Sequence, residues 1–216
     1  MLERFKVPEE DQIRIGHEAL YETVRAVLEK MGCPPEDAAE GANTLVSTDL
    51  RGVETHGVSN MLRYYVAEFQ SGKMNARPDV KVIRETPGTV TLDGDRGLGV
   101  IVAPGAMRRA IEKAKNVGVG IAVMQNSGHM GAVGHHAMLA AKENMVGMAT
   151  TSGGAGTRVF VLPTFAAEPR LGTNPISIAA PARTEPYLLY DAATTAIAGN
   201  KIYLAERVGA MLEPGW

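Results

Sequence analysis

Gln125-Asn126-Ser127-Gly128-His129-Met130-Gly131-Ala132-Val133-Gly134-His135-His136 is the densest run of groups able to do chemistry. It follows a β-rich run, Val117–Met124, and is expected to open a helix over 130–144. Polar groups at the carboxyl end of a strand are where open α/β sheets place ligands. Glycines there let the backbone approach a ligand closely. A helix start at His129 would lower its pKa and favour the neutral ring, which suits a general acid or base near neutral pH. A plainer reading fits the same residues: Ser127 as a helix cap and His129 as a surface histidine.

Several chemistries are excluded. The spacing of Gly128, Gly131 and Gly134 is not the G-x-G-x-x-G fingerprint, and the following strand, 145–151, carries no acid at its end to hold a ribose. Gly118-Val119-Gly120 precedes a strand instead of following one. No G-x-x-x-x-G-K-[ST] exists, so P-loop chemistry is out. His129, His135 and His136 lack an H-E-x-x-H pattern or a carboxylate before Glu143, so no metal site is expected. His135 and His136 read as packing or solvated residues.

Three other segments carry reactive groups. Asp49-Leu50-Arg51-Gly52-Val53-Glu54-Thr55-His56-Gly57 lies between two helices. Taken alone it is a capping loop, yet a glycine-flanked histidine there is compatible with an active site. Arg170-Leu171-Gly172-Thr173-Asn174-Pro175 enters a strand. Asp191-Ala192-Ala193-Thr194-Thr195-Ala196-Ile197-Ala198-Gly199-Asn200-Lys201 leaves one. Hydroxyls, small residues and a lysine at such a junction can cradle a phosphate. Turn chemistry explains Thr-Asn-Pro equally well.

These segments need elements to hold them. Apolar spacing predicts helices over 8–32, from Pro35 to Leu50 with Gly52 as a left-handed cap, and over 57–71. Val80–Ile83 and Thr89–Leu92 form a hairpin across Thr86-Pro87-Gly88. Asp93 to Gly97 reads as a turn. A helix over 101–116 and a strand over 117–124 follow. Then come the helix over 130–144, a strand over 145–151 and a mobile-looking loop over 152–156. Strands Ile176–Ala180 and Tyr187–Tyr190 precede a last helix near Asn200. The fold class is α/β, with a helical N-terminal region (1–75) and a sheet domain (76–216).

Composition agrees with a folded enzyme-sized chain. Its 216 residues carry 22 Lys+Arg and 24 Asp+Glu, a formal charge of −2 that makes no case for nucleic acid or acidic membranes. Hydrophobic residues are 45% and charged residues 21%, which argues against disorder. A single cysteine, Cys33, excludes an intramolecular disulfide and any multi-cysteine site within one chain. No signal sequence or membrane-length apolar run is present, so a cytoplasmic protein is expected. The turn-like ending at Leu212-Glu213-Pro214-Gly215-Trp216 suggests a chain cut in mid-fold.

Taken together, DLRGVETHG (49–57), NSGHMGAVG (126–134), LGTNP (171–175) and Asp191–Lys201 resemble the malate/L-lactate dehydrogenase family of non-Rossmann NAD(P)-dependent oxidoreductases. The resemblance covers essentially the whole chain in the same order. It implies a mixed-sheet cofactor domain and a homodimer with sites near the interface. It also implies hydride transfer between nicotinamide (NAD or NADP) and the 2-carbon of a small 2-hydroxy or 2-oxo acid. His129 matches the acid/base histidine and His56 the second active-site histidine, with Asp191 expected to pair with or orient one of them. Ser152, Thr173, Asn174, Ala193, Thr194, Thr195 and Lys201 match the cofactor-binding stretches. Two departures stand out. Many members carry arginine four residues after the first histidine, where the resemblance implies a contact to the substrate carboxylate. Here that position is Asn60, which leaves Arg51, Arg63 or Arg170 to substitute, or a different substrate such as a cyclic imine. Family chains also continue well beyond Trp216, so the cofactor domain is expected to be incomplete and a non-catalytic remnant is a third reading.

Overall fold

The computed structural model describes residues 8–153, 161–212 and 214. Of the expected loop over 152–156, residues 154–156 lie outside them, as do 213, 215 and 216 of the chain's ending.

Three helices come first: α1 (His17–Lys30), α2 (Pro35–Leu50) and α3 (Val58–Gln70). The expected first helix is shortened. Only a 3-10 turn, Glu9–Asp11, precedes Gly16, and Ile13 is 89% exposed, so the early apolar residues have nothing to pack against. Proline at its first position and acids in its first turn open α2. Gly52 takes the expected left-handed conformation after it, at φ 72°.

Strands β1 (Lys81–Glu85) and β2 (Thr89–Gly97) form the expected hairpin, and β3 (Ile121–Ser127) adds to β2 in parallel. Helix α4 (Gly99–Val117) is the crossover. Two boundaries differ from expectation. Val117 ends α4 instead of starting a strand, because Gly118 supplies a left-handed cap at φ 87°. Asp93 to Gly97 is part of β2, not a free turn. Asp95 and Arg96 have positive φ there, and the pairing with β3 shifts between Asp93 and Gly97. Turn chemistry has become a bend inside a strand. Asp93 Oδ1 accepts from Asn126 Nδ2 (2.9 Å), tying that bend to the end of β3.

Helix α5 (Gly134–Lys142) and strands β4 (Gly147–Thr150), β5 (Ile176–Ala180) and β6 (Leu188–Ala192) complete a second, antiparallel sheet, order β4-β5-β6. Helix α6 (Gly199–Val208) follows. The described residues therefore form two three-stranded sheets. One apolar core joins α1, α2 and α3 to Leu98, Val100, Ile101 and Val102 at the start of α4. A second sets α5 against β4 and β5 through Val133, Ala137, Ala141, Ala149 and Ala179. No described helix is long and apolar enough to cross a membrane.

Candidate active site

The β3–α5 loop carries His129, and the end of α4 nearest the loop holds its backbone. Gly128 N–H donates to Gly97 O (2.8 Å) and Val100 N–H donates to His129 O (3.2 Å). The histidine's own carbonyl thus satisfies a free N–H in the first turn of α4. This approach requires glycine at 99: a β-carbon there would sit 2.4 Å from Gly128 O and 2.7 Å from His129 O. Helix α5 begins only at Gly134, after Gly131 turns the chain at φ 68°. The expected helix-dipole effect on His129 is therefore corrected. Its pKa is lowered by the dense protein around it and then by His56. The residue keeps an exposed edge, and the shift is toward a neutral imidazole.

His56 closes the short 3-10 turn Glu54–His56. The capping reading of this loop holds as well: Asp49 Oδ2 accepts from Val58 N–H (2.8 Å) at the start of α3. Gly57 leaves room for that cap, since a β-carbon would lie 1.6 Å from Asp49 Oδ1. The capped turn presents His56 against His129, with ring centroids 5.5 Å apart and planes 12° from parallel. Burial lowers the pKa of His56 too. Its Nδ1 is hydrogen-bonded to Thr55 Oγ1 (2.8 Å).

Tyr65 belongs to the apolar side of α3, so by sequence it reads as core and not as a site residue. It is fully buried, and its hydroxyl lies 2.8 Å from His129 Nδ1. Gly131 N–H also donates to that nitrogen (3.2 Å). A backbone N–H can only donate, so Nδ1 presents its lone pair and the ring proton sits on Nε2. Nε2 is the nitrogen left for a ligand.

Asp191 pairs with neither histidine. Its Oδ2 accepts from Gly134 N–H (2.8 Å) at the start of α5. Burial raises its pKa, while that bond and the charge of Arg51 oppose the rise. Arg51, Asp191, Ser47, Thr48, Ala132 and His135 line a cleft of about 180 Å3. Ser47 Oγ donates to Thr44 O, so it accepts from His135 Nδ1 (2.9 Å). His135 and His136 are both buried, as packing residues.

The remaining expected residues fall in two places. Thr194 N–H donates to Thr173 O (3.0 Å), and Thr194 Oγ1 donates to Asn174 O (3.0 Å), which joins two of the sequence segments beyond β6. Asn174 has φ 39°, and its Oδ1 is buried without a partner among the described residues. Ala193 precedes Thr194 in this junction. Thr195 Oγ1 donates to Ile197 O (2.8 Å), and Lys201 lies in the first turns of α6. Ser152 follows β4 and is exposed, as is Arg63 on α3. Arg170 is engaged by Glu168. Asn60 folds back on the His56 turn, its Nδ2 donating to Glu54 O (2.6 Å).

A family model described as malate/L-lactate dehydrogenase matches residues 15–216. The malate dehydrogenase of Pyrococcus abyssi is 43% identical over 208 residues, which is 96% of this chain and 56% of that protein. The L-sulfolactate dehydrogenase of Methanocaldococcus jannaschii is 41% identical over 181 residues, 84% of this chain and 51% of that protein. The solved structure of malate dehydrogenase from Pyrococcus horikoshii OT3 superposes with a TM-score of 0.86 at 39% identity, covering 97% of this chain and 63% of that one. The chain spans about half the length of the curated relatives it matches.

Proposed function

The chain belongs to the malate/L-lactate dehydrogenase family, and from that premise we propose that it is an NAD(P)-dependent oxidoreductase of small 2-hydroxy and 2-oxo acids. The observation that carries this reading is the stacked pair of His56 and His129, with Nδ1 of His129 engaged on the protein side and Nε2 left for substrate.

The nicotinamide cofactor supplies or takes the hydride at the 2-carbon when bound. Residues able to hold it are Thr173, Asn174, Ala193, Thr194 and Thr195, with Lys201 and Ser152 beside them. The buried Oδ1 of Asn174, unpartnered among the described residues, fits this role as an acceptor able to take a donor.

His129 handles the proton. In reduction the imidazolium gives its Nε2 proton to the 2-oxo oxygen, where negative charge grows as the hydride arrives, and the ring is left neutral. Oxidation needs Nε2 bare, to take the hydroxyl proton. The ring proton then sits on Nδ1, and the Tyr65 hydroxyl turns to accept it while the 3.2 Å contact from Gly131 N–H is given up, since a hydroxyl can both donate and accept and a backbone N–H cannot. Asp191 holds the start of α5 through Gly134 and so fixes the end of the loop carrying His129. Arg51, Asn60 and Arg63 are the substrate-side residues. A homodimer is part of the same reading.

The test is NAD(P)H oxidation by the purified protein, followed by absorbance, against a panel of 2-oxo acids and one cyclic imino acid. Turnover of open-chain acids is expected. Preference for the cyclic imine would move the assignment to imine reduction. A folded, NAD(P)H-binding sample inert to the whole panel would overturn catalysis by this chain.

A further inference from the structure

Arg207 of α6 donates from Nη2 to Asn60 Oδ1 (2.7 Å). Asn60 is thereby held at both ends of its amide, with Nδ2 on Glu54 O of the turn that ends in His56. The helix is tied to the same turn at a second point: Asn200 Nδ2 donates to Thr55 O and contacts Met61 Sδ (3.2 Å). Asn200 and Arg207 stand at i and i+7, on one face of α6. Arg207 is therefore carried to this turn by a helix docked on it.

An asparagine carbonyl orients a guanidinium but does not neutralise it. Among the described residues Arg207 has no carboxylate within ion-pair distance, whereas Arg25, Arg108 and Arg170 each have one. Arg51 already lies beside Asp191. With one nitrogen on Asn60, the guanidinium keeps further N–H donors for a bidentate carboxylate.

We propose that Arg207, positioned by Asn60, binds the carboxylate of the 2-hydroxy or 2-oxo acid. This rests on the oxidoreductase reading. A planar, permanently charged fork held on the turn that ends in His56 selects a small acid over its uncharged analogue.

The test is calorimetric titration of oxamate and of its uncharged ethyl ester, with NAD(P)H present. Wild type, Arg207→Gln, Arg207→Lys and the double variant Asn60→Arg/Arg207→Gln are compared. Losing a charge-assisted bidentate contact weakens binding by about tenfold to a hundredfold. That loss is expected for oxamate with Arg207→Gln, with the ester unchanged. Arg207→Lys is expected to lie between, and the double variant to recover oxamate. With a 2-oxo acid substrate the loss is expected in KM, not kcat. Equal weakening of oxamate and ester, no weakening, or no oxamate binding by wild type would overturn the proposal. Arg207-dependent oxamate binding without turnover in any sample would leave the carboxylate site standing and overturn the catalytic reading alone.

Discussion

The imidazole rings of His56 and His129 stack at 5.5 Å between centroids and 12° from parallel, one from a capped turn before α3 and the other from the β3–α5 loop. His56 lowers the pKa of His129, and the protein packed around each ring acts in the same direction on both. In the proposed mechanism His129 is the member of this pair that handles the proton. Replacing His129 with Gln is expected to lower turnover by about a hundredfold to ten-thousandfold. NAD(P)H binding, read by fluorescence titration, is expected to survive. Unchanged turnover would remove His129 from the mechanism.

Tyr65→Phe tests the hydroxyl on Nδ1. One neutral hydrogen bond is worth about 0.5–1.5 kcal/mol, or roughly twofold to tenfold in rate. The reaction equilibrium is unchanged, so kcat/KM must fall by the same factor in both directions. Steady-state rates measured forward and reverse, with cofactor affinity measured alongside, check this. A loss confined to cofactor affinity would make Tyr65 a packing residue only.

Acid lability follows from the two buried histidines of α5. Burial pushes His135 down to about 3 and His136 down to about 4. In the unfolded chain both return to about 6.5. Between these values the unfolded state binds protons that the folded state refuses. Their contribution is fully present above about pH 6.5 and is lost as pH falls toward about 4 for His136 and about 3 for His135. The steepest slope is about 1.4 kcal/mol per pH unit for each histidine. Urea midpoints from about pH 7.5 to about pH 4.5 should fall, and His135→Asn should flatten the curve. An identical slope in that variant would reject the assignment.

Two glycines of α4 should respond oppositely to alanine. At Gly99 the new methyl meets the backbone of Gly128 and His129, which cannot swing aside, so a loss of about 1–3 kcal/mol is expected. At Gly105 nothing lies within 4 Å, and helix propensity predicts a gain of about 0.5–1 kcal/mol. Thermal midpoints read both. Activity should fall with Gly99→Ala alone, because only that residue bears on the His129 loop.

Much of this was legible in the residues themselves. Local rules act within a few positions, so they located the Thr86-Pro87-Gly88 hairpin, the proline-led start of α2 and the left-handed Gly52. They also marked His56 and His129, because glycines and polar groups clustered around each. Boundaries slipped where tertiary contact outweighs pattern. The apolar spacing of 8–32 continues a helix that Ile13 has no surface to support. Asp93 to Gly97 has turn chemistry, yet pairing with β3 keeps it in a strand.

By itself, the sequence determined the order of the four motifs, the α/β class and the family, because each is written in runs of neighbouring residues. Only the tertiary structure decided which of those residues meet. Tyr65 counts as one more apolar residue until α3 packs its hydroxyl onto His129, and Asp191 turns to Gly134 and not to a histidine. Arg207 has no local signature at all until α6 docks it on Asn60. Side-chain chemistry is a property of residue type and can be read in one dimension. Proton placement and charge pairing depend on distances of a few ångströms between remote segments, and only packing sets those.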